Sequence, residues 1–129
     1  CENIGSNLPK DLKGTYYRNG HAKFESGKEP VLHPFDADGM VTAVTFNDGQ
    51  ALFRNRFVRT QGYKTERKMK RILTRGAFGT AKKGGQLANI FSLSVRDTAN
   101  TNAVYWAGRL LAMYESSLPH NLEPGTLRT

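Results

Sequence analysis

The chain has 129 residues and a net charge of +8, with 38% hydrophobic and 23% charged residues and a single cysteine. This is the length and balance of one ordinary globular domain, not of a disordered segment. A lone cysteine, Cys1, excludes an internal disulfide or a thiolate metal cluster and reads as a reduced thiol. No apolar run approaches the roughly 20 residues of a membrane-spanning helix; the longest, around residues 103–113, is interrupted by Gly108 and Arg109.

The first ten positions, with Asn3, Gly5, Ser6, Asn7 and Pro9, show no periodicity. LKGTYYRNG then predicts a short strand from Thr15 to Arg18, bracketed by Gly14 and an Asn19-Gly20 turn, followed by a loop through Lys23, Ser26, Gly27 and Pro30. MVTAVTF, Asn47-Asp48-Gly49 and ALFRNRFVRT together predict an antiparallel hairpin, with Ala51, Phe53 and Phe57 on one face and Arg54 and Arg56 on the other. GYKTERKMKRIL, residues 62–73, is the one predicted helix, its apolar stripe made of Tyr63, Met69, Ile72 and Leu73. RGAFGTAKKGG reads as loop. A last β-unit begins near Leu87 and becomes clear where residues 102–106 and 109–115 flank an Ala107-Gly108 turn. Its second arm is apolar on both faces, as in an interior strand. The closing SSLPHNLEPGTLRT predicts a loop leading into another short strand.

Recurrent hairpins without an exact repeat point to an all-β class, a propeller or a sandwich, and so few hairpins leave edge strands unpaired. The chain begins at Cys1 instead of Met, carries no charged-then-apolar leader and stops at Arg128 and Thr129. It is therefore expected to be a piece of something longer, truncated at both ends.

The positive charge is concentrated. Between Arg54 and Lys83 there are eleven basic residues and one acid, Glu66. Such a block attracts polyanions, so nucleic acid and anionic membrane are the partners to weigh. Stacking aromatics are sparse within it, which argues against nucleic acid. A solvated or membrane-facing surface is the expected use.

HPFDADGM, residues 33–40, gathers His33, Asp36 and Asp38. As a calcium loop with Gly39 in sixth place it would need oxygen ligands at Pro34 and a bidentate acid at Thr45, and a strand follows where a helix is required. A transition-metal triad would need a further histidine. The expectation is a turn, with Asp36 and Asp38 capping their own backbone and Gly39 supplying a positive φ. Glu115 ends the apolar run at Tyr114; either the strand emerges there into solvent or the carboxylate meets a buried donor, and Ser116-Ser117 favour emergence.

Four stretches in order, LPKDLKGTYYRNG (8–20), HPFDADGM (33–40), FRNRFVRTQGYKTE (53–66) and TANTNAVYWAGRLLAMYESSLPHNLEP (98–124), resemble the amino-terminal part of the carotenoid cleavage oxygenases. The resemblance implies that residues 1–129 are the opening portion of a single seven-bladed β-propeller domain, first blades only, with one short basic helix. It further implies an Fe(II) held by four histidines from later blades, expected beyond Thr129, so that no metal ligand lies in this chain: His21, His33 and His120 match none of them. In LLAMYE, Glu115 takes the place of the glutamate that accepts a hydrogen bond from an iron-binding imidazole, and Tyr114 that of a residue lining the substrate tunnel. The implied partners are a carotenoid or apocarotenoid and dioxygen, with a peripheral membrane contact through the basic segment that begins at Lys64 and ends at Arg71. Plastid and cytoplasm both remain open as compartments. The implied activity is oxidative cleavage of a double bond by the parent enzyme, the piece alone being inactive; the alternatives are an isomerohydrolase of the same family, or a basic β-rich module on nucleic acid or anionic membrane. Two positions depart from the family pattern: His21 stands where proline is usual, and Ala37 where glycine is usual, which implies a backbone without positive φ at 37.

Overall fold

In a computed structural model describing residues 2–3, 8–82, 84, 89 and 95–129, the chain forms β1 (Glu2–Asn3), β2 (Gly14–Lys23), β3 (Glu25–Ser26), β4 (Glu29–Pro30), a 3-10 turn (Pro34–Asp36), β5 (Asp38–Asn47), β6 (Gln50–Phe57), α1 (Gln61–Met69), β7 (Asn102–Trp106), β8 (Arg109–Met113) and β9 (His120–Leu122). They make an antiparallel sheet in the order β1-β6-β5-β2, a small β3-β4 hairpin and a second antiparallel sheet in the order β7-β8-β9. The expected start of the last β-unit near Leu87, like Cys1, lies outside the described residues.

β5 and β6 are joined as their sequence predicts, through Asp48 and Gly49 at φ of 46° and 73°, the two positive values that a two-residue hairpin of matching twist requires. Ala107 and Gly108 repeat this turn between β7 and β8 at 49° and 78°. β8 is the centre of its sheet, and its Leu110 and Ala112 are fully buried. They meet Val41 and Ala43 from alternate positions of β5, with Val58, Ala99, Leu122 and Leu127 completing the core. The two sheets thus pack through their apolar faces, each fully buried leucine contributing roughly 1.5–3 kcal/mol by leaving water.

Two expectations need correction. Asn19-Gly20 is not a turn: β2 runs on for ten residues, with Asn19 in register opposite Val41. The asparagine serves another purpose, since its buried carboxamide donates to Ala99 O at 2.7 Å and to Asn102 O at 3.0 Å, stitching one sheet to the other. The segment expected as loop around Ser26 and Pro30 holds the β3-β4 hairpin instead.

The helix is shorter than the apolar stripe implies, and its buried side differs. Thr60 caps it by accepting from Tyr63 N at 3.0 Å, and Lys70 ends it at φ 54°. It buries Tyr63 and Glu66 and leaves Met69 half exposed, while Ile72 lies beyond it and packs with Val31 and Ala37. Two contacts account for the early stop. Glu66 Oε1 accepts from Leu73 N at 3.0 Å and Thr74 N at 3.2 Å, drawing the chain off the helix axis. Gly27 also sits where a Cβ would lie 1.9 Å from Lys70 O.

Candidate functional site

HPFDADGM shapes a cleft. His33 Nδ1 accepts from Phe35 N at 3.2 Å and Pro34 follows at the first turn position, which together start the 3-10 turn and turn Phe35 outward. The buried carboxylate of Asp36 reaches across 42 and 44 positions of sequence to accept from Phe78 N and Thr80 N, both at 3.0 Å. The described part of the loop expected over residues 75–85 is thereby pinned, and Phe78 is brought against Phe35 with ring centroids 5.3 Å apart and edge to face. Gly76 permits this approach, because a Cβ there would lie 2.1 Å from Asp36 Cγ.

Asp36 and Asp38 therefore do not cap their own backbone. Asp38 belongs to β5, and Arg96 Nη2 donates to its Oδ2 at 2.7 Å while standing 3.1 Å from Glu66 Oε2. All three side chains are buried. Burial pushes the Asp38 carboxyl above its ordinary 3.8, and the Arg96 guanidinium opposes the rise without cancelling it. Nor does Gly39 have positive φ. Its requirement is close approach: a Cβ would stand 2.2 Å from Ala99 O, and Gly39 N donates to Thr98 O at 2.7 Å. Ala37 has φ −74°, as the departure from glycine implied. No pattern in the sequence pairs Arg96 with Asp38; the isolation of Glu66 among eleven bases is the one signal that this acid is committed.

From the other side, residues 99–101 and 113–115 close the cleft. Asn100 spends both amide hydrogens on Phe35 O at 2.9 Å and Ala37 O at 2.7 Å. Thr101 N donates to Met113 O, and Thr101 Oγ1 donates to Glu115 Oε2 at 3.0 Å. Glu115 is exposed on leaving β8, which is the emergence that Ser116-Ser117 suggest. It emerges at a specific place. His21, Phe35, Phe78, Asn100, Thr101, Tyr114 and Glu115 line a concavity of about 320 Å³. Tyr114 is buried, which pushes its phenol above the ordinary 10.0 against the opposing hydrogen bond from Ser116. Tyr114 and Glu115 are thus placed together at one cleft, joined by Phe35 and Phe78, which sequence reasoning did not connect with them, and by His21, noted there only as a departure from the family pattern. The HPF and AFG tripeptide settings of the two phenylalanines, each in a turn or loop segment, were the available signal.

The three histidines do not converge. His33 caps the 3-10 turn, His120 Nε2 lies 2.7 Å from Asp97 Oδ2 and His21 stacks on Phe35. Among the described residues no group of three or more His, Cys, Asp or Glu side chains could hold a metal ion. The described residues by themselves therefore do not fit an iron site.

The two sheets are those of a known family. The family described as retinal pigment epithelial membrane protein, RPE65, matches residues 2–129, and the chain belongs to it. The apocarotenoid-15,15'-oxygenase of Synechocystis sp. is 50% identical over 129 residues, 99% of this chain and 26% of that protein. A resveratrol cleavage oxygenase of Aspergillus fumigatus is 37% identical over 95% of this chain and 23% of its own length. The crystal structure of cobalt-substituted Synechocystis ACO superposes with a TM-score of 0.92 at 49% identity, covering 99% of this chain and 27% of that one. An ACO/RPE65 chimera gives 0.92 at 48% identity. The chain has the fold of the first blades of these seven-bladed propellers, all-β with one short basic helix. It spans about a quarter of the length of the relatives it matches.

Proposed function

We propose that the protein to which this chain belongs is a non-haem Fe(II) oxygenase that cleaves a double bond of an apocarotenoid or carotenoid with dioxygen, each carbon of the bond receiving one oxygen atom. This chain would supply opening blades of its propeller and part of the substrate's surroundings, and the iron ligands would come from residues outside it. The observation that carries the reading is the cleft itself, in a chain half identical to an apocarotenoid oxygenase: two phenylalanines and a buried tyrosine make apolar walls for a polyene, with one carboxylate at the rim.

In this reading Tyr114 is a wall of the substrate tunnel. Glu115 holds a metal-binding imidazole through its second oxygen, which has no partner among the described residues, while Thr101 occupies the first. The same reading has α1 rest on an anionic membrane where a polyene dissolves, since Lys64, Arg67, Lys68, Lys70 and Arg71 are all exposed and half-exposed Met69 lies among them. The protein would then be peripheral to a membrane in plastid or cytoplasm.

The test is turnover in ¹⁸O₂ by the protein carrying this chain, given apocarotenoid and reloaded with Fe(II). Loss of polyene absorbance with ¹⁸O in both carbonyl products is expected. Intact polyene with changed double-bond geometry would assign isomerising chemistry instead, and no change with Fe(II) bound would refute the reading.

A further inference from the structure

Three charged side chains meet in the interior. Asp38 of β5, Glu66 of α1 and Arg96 are each 2% exposed, and burial that the chain provides for itself is not lessened by further residues around it. One guanidinium nitrogen serves both acids. Arg96 Nη2 donates to Asp38 Oδ2 at 2.7 Å, whereas Glu66 Oε2, 3.1 Å away, receives its charge without the geometry of a hydrogen bond. Asp38 Oδ1 and Arg96 Nη1 have no hydrogen-bond partner among the described residues. Beyond burial itself, the charges acting on Asp38 are, in order, Arg96, Glu66 and Lys23 at the end of β2. Asp36, on the neighbouring 3-10 turn, is committed to Phe78 N and Thr80 N. Two carboxylates on one buried guanidinium leave a net negative charge out of water, and such a site takes up a proton in preference to bearing the charge.

Glu66 is the charged residue of α1 that turns inward; Lys64, Arg67 and Lys68 are exposed. Its other oxygen, Oε1, accepts from Leu73 N and Thr74 N, so this one carboxylate fastens the end of the helix and the chain that leaves it. The start of the helix is held differently, by Tyr63 stacked on Phe57 at 5.8 Å and by the Thr60 hydroxyl donating to Asp97 O at 3.2 Å. We propose that the cluster is a proton-operated clamp: a proton on Asp38 frees the Arg96 donor for Glu66 and holds residues 66–74 down, and release of that proton to solvent returns the donor to Asp38 and slackens them. The direction follows from the competition. An ionised Asp38 takes the shorter, charge-assisted bond, and a protonated one no longer draws the cation by charge. Where α1 rests on an anionic surface, as in the reading above, the negative potential there gathers protons and would tighten the clamp. The clamp itself does not depend on that reading.

The test is amide hydrogen exchange of the protein carrying this chain, without lipid, read from pH 4 to pH 7 as protection relative to the free-peptide rate. Leu73 and Thr74 report on Glu66, and Tyr63, whose N–H is bonded to Thr60, is the internal control. Protection of Leu73 and Thr74 should fall as pH rises, by up to about tenfold per pH unit, the slope for release of one proton. That of Tyr63 should stay level. Asp38→Asn cannot ionise and should keep both amides protected throughout. Glu66→Gln still accepts from both amides but leaves Arg96 to Asp38 alone, so its profile should also be flat. A flat profile in the wild-type protein, or the wild-type slope retained in either variant, would overturn the proposal. Parallel loss at Tyr63 would overturn it too, because the helix would then be opening as a whole.

Discussion

Thr101 donates its hydroxyl to Glu115 Oε2 at 3.0 Å while its Oγ1 also stands 3.3 Å from Asn100 Oδ1. A hydroxyl has one hydrogen and both neighbours are acceptors, so the shorter bond to the carboxylate, strengthened by charge, takes it. The orientation of Glu115 is therefore set from Thr101, whose own backbone is tied to Met113 O. Glu115→Gln removes the charge and should reduce iron retention or turnover of the parent protein about 10- to 100-fold. Thr101→Val keeps the shape, frees the carboxylate and should give a smaller loss of the same kind. Metal content of the purified proteins reads both, and full iron occupancy in Glu115→Gln would remove that residue from the site.

Asp38 makes stability depend on pH in a direction unusual for a paired carboxylate. Its folded-state pKa lies above the ordinary 3.8 because burial outweighs Arg96. The folded state thus binds the proton more tightly than the unfolded one. The stability this adds is fully present below 3.8 and is lost as pH rises through the folded pKa. Asp38→Asn cannot ionise, so urea denaturation should show wild type losing ground to it from pH 4 to pH 7. Removing Arg96 is a different matter. Arg96→Met leaves Asp38 and Glu66 buried together without a cation, and a cost of about 3–5 kcal/mol is expected.

Ala107 adopts φ 49° in an exposed turn, where an L-residue with a Cβ is strained by roughly 1–2 kcal/mol. Asparagine tolerates this region, and Asn-Gly is the favoured pair for such a hairpin. Ala107→Asn should raise stability by about 0.5–1 kcal/mol, seen as a higher Tm with unchanged activity.

The exposed cations of α1 should make liposome binding depend on salt. Cosedimentation with vesicles containing anionic lipid should weaken as salt rises, with Lys64→Glu and Lys68→Glu weakening it further by about 1 kcal/mol per charge removed. Equal binding to neutral vesicles would show the attraction to be other than electrostatic.

Local chemistry was legible where it acted locally. Asp48-Gly49 and Ala107-Gly108 announce their turns, and the two-sided apolar character of β8 announces its central place. What escaped were residues whose partners are far along the chain. Asn19 looks like a turn former because asparagine beside glycine usually is one, yet its amide is bound some 80 positions away. Asp36, Asp38 and Gly39 look like a self-contained turn, but each answers to a segment that only the packed sheets bring near. Glu115 and Tyr114 are singled out only by likeness to a family; Phe35, Phe78 and His21 line the same cleft, Phe78 because Asp36 pins its segment from 42 positions away, a pairing that leaves no mark in local sequence.

One consequence concerns synthesis. Leu127 is fully buried in the same core as Val41, and the Tyr17 hydroxyl donates to Pro124 O at a separation of 107 residues. A chain leaving the ribosome can form the β5-β6 hairpin early, but its apolar face has no cover until residues 110–127 have emerged. During that interval the hairpin is a sticky, half-finished surface. Interruptions of translation between those points would yield a product prone to aggregate, and the last few turns of this segment determine when the first sheet becomes safe in solution.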